Sequence, residues 1–245
     1  MWTDELSTSS DFRFLTNYPE ARVVAAALVL MNRRERRGFV RAWLSEGVPA
    51  VFRENPMVYE MLREWLARNL AMDLETRIDP KDVTLVGSAR LGYSLAPYPR
   101  FGRPFGADSD LDFALISSSL FDAVAIDFQT WCKDVKQGET KPQTAKETTF
   151  WPQNMRVIEQ QIRRGFIDPK KIPNRHGYRS VKRLNSTMAR LLNVISAAPS
   201  APRVRSSSVR VYRHWESFVS QVCLNLNQAI PRRGDLPRSL FGSNY

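Results

Sequence analysis

The sequence predicts an α+β fold, a small sheet flanked by helices, with further helical parts toward both ends. Apolar residues recur at three- and four-residue steps through most of the stretch from 11 to about 75, the spacing of a helix with one buried face. Short β-rich runs then appear at 83–86, 111–116 and 209–212, each bounded by Gly, Ser, Pro or Asp. Longer helix-like segments separate and follow them.

Residues 21–31 are rich in Ala, Val and Leu, and 34–44 place Phe39, Val40, Trp43 and Leu44 at helical spacing. Gly47 and Pro49 interrupt this pattern, and Pro56 stands where a first helical turn begins. From there Val58, Met61, Leu62, Trp65, Leu66 and Leu70 form an apolar stripe that reads as core. Ile78-Asp79-Pro80 marks a change of texture. The strand at 83–86 stops at Gly87-Ser88, and a loop holding Pro97, Pro99, Gly102, Pro104 and Gly106 leads to the second strand at 111–116. A helix is expected over 119–135, a polar loop over 136–149, and helices over 154–164 and 181–196. A Pro/Ser-rich connector at 197–208 precedes the third strand at 209–212 and a helix over 215–230. The expected organisation is a helical segment at 1–76, a core at 77–230 and a basic tail at 231–245.

A chain of 245 residues with 43% hydrophobic residues has the material for a packed core. Cys132 and Cys223 fit no disulfide framework or zinc spacing, which points to a reducing, cytoplasmic setting. The first ten residues are polar and include Asp4 and Glu5, unlike a targeting signal. The most apolar run, 23–31, falls short of the roughly 20 residues of a membrane span. A soluble protein without a membrane partner is expected. The net charge is +11, with arginines clustered at Arg33, Arg34, Arg36, Arg37 and Arg41 and a second basic cluster at Lys170, Lys171, Arg175 and Arg179. Such a balance favours polyanions, nucleic acid or triphosphates among them. The plainer alternative is a solvated face enriched in arginine.

The chemistry concentrates between residues 83 and 117. Side chains alternate faces along a strand, so Asp110 and Asp112 project from the same face. Two carboxylates on one rigid face suit Mg²⁺, which prefers oxygen ligands and completes its shell with phosphate and water. Gly87 permits a sharp turn and close approach of backbone to ligand. Ser88 and the amides after it then lie at a possible helix start, where N–H groups attract phosphate.

This order of features resembles the DNA polymerase β-like nucleotidyltransferase superfamily, whose signature is Gly-Ser at the end of one strand and Asp-x-Asp at the next. Gly87-Ser88-Ala89-Arg90 and Ser109-Asp110-Leu111-Asp112-Phe113 carry the likeness, which covers about residues 83–116. The resemblance implies a nucleotidyltransferase core with a small mixed sheet. It also implies catalytic, metal-binding Asp110 and Asp112, a triphosphate held by Gly87 and Ser88, and Arg90 as a further phosphate contact. The cofactor implied is Mg²⁺, with Mn²⁺ as substitute, and the reaction is transfer of a nucleotide from an NTP or dNTP, such as ATP, to a hydroxyl with release of pyrophosphate. Acceptors in such families include nucleic acid, a growing oligonucleotide or second messenger, and the protein or tRNA targets of toxin–antitoxin enzymes. By analogy with stand-alone bacterial members, antiviral defence and a protein partner from the same system are expected. A catalytically inactive nucleic-acid-binding module is the alternative.

The chain departs from the pattern in two places. The interval before Asp110 is long and carries Tyr93, Tyr98, Phe101, Arg103 and Phe105, which either stack on a base or acceptor strand or pack the loop onto the domain. Many polymerising members also carry a third carboxylate on a later strand, and residues 209–212 have none. Glu216 lies just beyond that strand as a candidate metal ligand, with Asp127, Glu147 and Asp168 as others.

Asp108, Asp110 and Asp112 mimic the start of an EF-hand, but Phe113 and Ser119 stand where that loop requires Gly and Glu. No phosphate-binding G-x-x-x-x-G-K-[ST] and no kinase motif set occurs. His176 and His214 are the only histidines, a scarcity that argues against both a histidine-based zinc site and a Ser-His-Asp hydrolase.

Overall fold

Two short apolar strands in the middle of the chain must bury one face entirely and part of the other, and the rest of the chain supplies the cover. The computed structural model describes residues 18–229 except Glu75, Pro97 and Tyr98; the 11–17 part of the expected helical stretch, Ile230 and the basic tail at 231–245 lie outside the described residues. The strands are β1 (Val83–Val86), β2 (Asp110–Ile116), β3 (Phe166–Ile167) and β4 (Ser206–Tyr212). They form one mixed sheet in the order β1-β2-β4-β3, in which β2 runs antiparallel to β1 and parallel to β4, and β3 pairs antiparallel with β4. The fold is α+β.

The helices are α1 (Ala21–Leu30), α2 (Arg33–Phe39), α3 (Pro56–Leu74), α4 (Gly87–Leu91), α5 (Ser118–Gln137), α6 (Ala145–Arg163), α7 (Arg179–Ala197) and α8 (Trp215–Ala229). Alternation along the strands divides the core in two. Val83, Leu85, Leu111, Phe113, Leu115, Val209 and Val211 point to one face, where α3, α5 and α7 contribute Leu66, Leu70, Trp131, Leu184 and Leu191. On the other face Ala114, Ile116 and Tyr212 are covered by Val24, Leu28, Phe39, Phe218 and Val219 from α1, α2 and α8. That second cover reaches only the far half of the strands. The near half, with Asp110 and Asp112, stays open as a cleft.

The N-terminal helices thus belong to the same two cores as the sheet. The first basic cluster is largely absorbed here. Asn32 and Glu35 close a capping box at the start of α2. From α2 and the turn after it, Arg37 and Arg41 pair with Glu216 of α8, and Arg36 bonds Asn227 and the Met31 carbonyl. In the second cluster Arg175 pairs with Glu147 at 3.0 Å and lies 4.8 Å from the Trp151 ring centroid.

Three elements depart from the sequence expectation. α6 starts at Ala145, so the first part of the expected helix at 154–164 reaches back into the expected loop. Thr144 caps it, and Pro152 inside it had obscured the pattern. β3 is two residues long, too short for an alternation to show. β4 begins at Ser206 rather than 209; serines are weak strand formers, and here the parallel ladder to β2 overrides that preference.

Two side-chain features hold these helices in place. α7 has no cap of its own, and Asp127 of α5 supplies one from a distance: its Oδ2 accepts the Val181 N–H at 2.8 Å while the residue is only 7% exposed. Burial raises the Asp127 pKa above the ordinary carboxylate value, against the lowering effect of the Val181 and Ser180 amides. Asp127→Ala is expected to cost about 1–3 kcal/mol, because it strands buried donors. Asp127→Asn keeps an acceptor and removes the buried charge. The folded chain binds this proton more tightly than the unfolded chain, so the contribution of Asp127 is greatest below the unfolded pKa and declines as pH rises through the folded one. The stability of Asp127→Asn relative to the parent should therefore rise from acid toward neutral pH in urea unfolding. A flat difference would contradict it.

Gly165 turns the chain from α6 into β3 at φ +77°, and its carbonyl accepts the Arg213 N–H at 2.8 Å. A Cβ there would overlap Ser217 Oγ and stand 2.9 Å from Ser217 Cβ. Gly165→Ala combines left-handed strain of about 1–2 kcal/mol with overpacking of about 1–3 kcal/mol. A fall in the thermal midpoint of several degrees is the expected result, and Gly165→Ala/Ser217→Gly should recover part of it.

Candidate functional site

The β1–β2 ladder brings the two halves of the motif together. Val86 pairs with Asp112, so Gly87, the next residue, turns away beside the Asp112 carboxylate; a Cβ on Gly87 would sit 3.6 Å from Asp112 Oδ2. Gly87 has φ +68°, a conformation strained for any other residue. Asp110 and Asp112 project from one face of β2 as expected, both half-buried.

The parallel ladder to β4 adds groups that the sequence reading missed. Asp110 is opposite Ser206 and Asp112 is opposite Ser208. The Ser206 hydroxyl donates to Asp110 Oδ1 at 2.8 Å, and the Ser208 hydroxyl donates to Asp112 Oδ1. Arg205 forks onto the Asp110 carboxylate, Nε to Oδ1 at 3.2 Å and Nη2 to Oδ2 at 2.9 Å. Partial burial by itself would raise the Asp110 pKa, but the hydrogen bonds from Arg205 and Ser206, with Arg205 and Lys170 nearby, hold it below the ordinary carboxylate value. Asp110 is therefore an anion at neutral pH. The signal available in the sequence was the i, i+2 spacing of Ser206, Ser208 and Arg210, hidden because the segment reads as a Pro/Ser connector.

Asp110, Asp112 and Arg205 line a cavity of about 510 Å³ together with Gly87 and Ser88. Arg90, Arg100, Arg103, Arg205 and Arg210 border it, against Asp108, Asp110 and Asp112. Five guanidinium groups against three carboxylates leave the wall positive, suited to an anionic ligand that carries or accepts a metal. A larger cavity of about 650 Å³ between Tyr18, Arg53, Tyr93 and Ala201 holds no such carboxylate pair.

Apart from Arg90 and Arg103, which border the cavity, the remaining expected residues fall outside this constellation. Arg90 is only 5% exposed and donates to the Gly47 carbonyl at 2.8 Å, so it ties the turn before α3 to α4 while its side chain borders the cavity. Glu216 lies beyond the opposite end of β4, where Arg37 holds it at 2.6 Å and Arg41 at 3.1 Å. Asp127 caps α7, Glu147 pairs with Arg175, and Asp168 caps the turn after β3. Tyr93 donates to the Pro19 carbonyl at 2.9 Å and lines the larger cavity with Phe105, which places both in packing roles away from the carboxylates. Tyr98 lies outside the described residues.

Asp110 and Asp112 offer only carboxylate oxygen to a metal, and two carboxylates with open cavity beside them fit Mg²⁺, which takes one or two carboxylates and fills its shell from phosphate and water. Among the described residues no group of three or more Asp, Glu, His or Cys side chains forms a metal-binding cluster. Among them, too, no helix is long and apolar enough to cross a membrane.

No protein family, curated protein or solved structure matches the chain.

Proposed function

We propose that this protein is a metal-dependent nucleotidyltransferase that transfers a nucleotide from an NTP or dNTP to a hydroxyl acceptor and releases pyrophosphate. One observation carries the reading: the Gly87-Ser88 turn and the Asp110/Asp112 pair, 22 positions apart from Ser88 to Asp110, meet at one end of the β1–β2 ladder in a single arginine-bordered cavity.

Asp110 and Asp112 would hold Mg²⁺ or Mn²⁺, which when bound supplies charge neutralisation at the reacting phosphates. Ser88 and the backbone at Gly87 approach the triphosphate from the β1 side, and Arg205 and Arg210 do so from the β4 side. The second cover of the sheet narrows the cleft through Leu44 and Leu226, which limits water around the reacting groups. Positioning and electrostatics provide most of the acceleration in phosphoryl chemistry, so the scarcity of histidine is no obstacle. The positive wall favours an extended anion, a triphosphate with a nucleic-acid or oligonucleotide acceptor.

The test is to incubate the protein with each labelled NTP and dNTP, with Mg²⁺ or Mn²⁺, with and without RNA or DNA, and to resolve products by gel and mass spectrometry. A metal-dependent product that vanishes in Asp110→Ala/Asp112→Ala is the expected result. Tight nucleic-acid binding with no product under any condition would instead favour a non-catalytic binding module, a reading that fits the lack, among the described residues, of three carboxylates grouped to hold a metal.

A further inference from the structure

β4 lies beside β2 in parallel register, with Ser206 and Ser208 on the same face as Asp110 and Asp112. A carboxylate at either serine would complete a three-carboxylate site able to bridge two divalent ions. Instead Ser208 presents a neutral hydroxyl already bonded to Asp112, and Ser206 presents one bonded to Asp110. The residue just before them adds a positive charge: both Asp110 oxygens accept from Arg205, whose side chain is 66% exposed and borders the cavity. A guanidinium has five N–H donors, so this fork leaves others for a second anion. Like charge repels, and a fixed cation beside Asp110 disfavours a second dication on that side.

We propose that the cavity holds one divalent ion, and that Arg205 brings to the triphosphate the positive charge a second ion would otherwise supply. This rests on the nucleotidyltransferase reading. Ser208 then keeps the Asp112 carboxylate oriented without adding charge, and Arg205 both steadies Asp110 and contacts phosphate. One ion with one guanidinium supplies three positive charges against two carboxylates, leaving a net attraction for the nucleotide.

The experiment counts ions directly. Mn²⁺ is titrated into the full chain with each of the four α,β-methylene ribonucleoside triphosphates, and bound metal is read by electron paramagnetic resonance. One Mn²⁺ per chain is expected, and none in Asp110→Ala/Asp112→Ala. Two ions in the parent protein overturn the proposal while leaving the nucleotidyltransferase reading intact; no bound ion with any analogue overturns both. Arg205→Ala/Ser208→Asp, which removes the guanidinium and adds the carboxylate, is expected to bind two ions. A double variant that folds, by circular dichroism, yet still binds one shows that these residues do not set the count and overturns the assignment. Arg205→Ala alone should retain one Mn²⁺ and weaken analogue binding about tenfold, the scale of one hydrogen bond to a charged group, with part of the loss recovered in Arg205→Lys. Unchanged affinity in Arg205→Ala overturns its role.

Discussion

Asp110→Asn/Asp112→Asn is expected to lower nucleotide transfer by at least about 10³-fold, the range seen when a group that stabilises transition-state charge is lost, and to leave the fold in place. The substitution keeps the shape of both side chains and removes two negative charges from a wall that Arg100, Arg103, Arg205 and Arg210 make positive. Metal affinity should fall with activity, because an amide oxygen is a poor substitute for a carboxylate toward Mg²⁺. Stability should change little: both aspartates face the open cavity, and Ser206, Ser208 and Arg205 keep an acceptor within reach. Circular dichroism melting measures the second part and product formation the first. A variant that transfers nucleotide at the parental rate would sink the catalytic assignment, and one that fails to fold would show that the pair is structural.

The largest stability effect is expected at Trp131. This side chain of α5 is fully buried in the first core, edge-on to Trp151 of α6 at 5.4 Å and to Phe128 at 6.2 Å between ring centroids. Trp131→Ala is expected to cost about 3–5 kcal/mol in urea unfolding, through lost burial and an unfilled cavity, which is a large part of the roughly 5–15 kcal/mol that holds a domain of this kind. The Trp131 indole N–H finds no hydrogen-bond partner among the described residues. Trp131→Phe removes that buried donor and leaves a smaller cavity than Trp131→Ala, so its cost should be clearly the lower of the two. Comparable losses for the two variants would mean that the indole makes a polar contact worth more than its packing.

Much of the near face of the fold was legible because it depends on local rules. The Gly87 turn needs a residue that accepts positive φ, and the i, i+2 spacing of Asp110 and Asp112 puts both on one strand face whatever surrounds them. The stripe from Val58 to Leu70 announced a buried face on α3: Leu62, Leu66 and Leu70 are at most 5% exposed, whereas Met61, read as part of that stripe, is 65% exposed. β3 was not legible, since two residues carry no period. The first turns of α6 were masked by Pro152, and the serines at the start of β4 resemble a linker.

Helix spacing, strand alternation and the acidic pair are properties of neighbours along the chain, and the sequence by itself determined them: an α+β protein with Asp110 and Asp112 on one face beside a glycine turn. Only the tertiary structure decided what stands opposite that pair. Parallel pairing of β4 with β2 set Ser208 rather than a carboxylate across from Asp112 and brought Arg205 onto Asp110, while Glu216 was drawn to Arg37 and Arg41 at the other end of the strand. Those partners are about 95 residues and about 180 residues apart in the chain. Nothing in a local pattern encodes such a meeting; it follows from the register in which both strands bury their apolar side chains together.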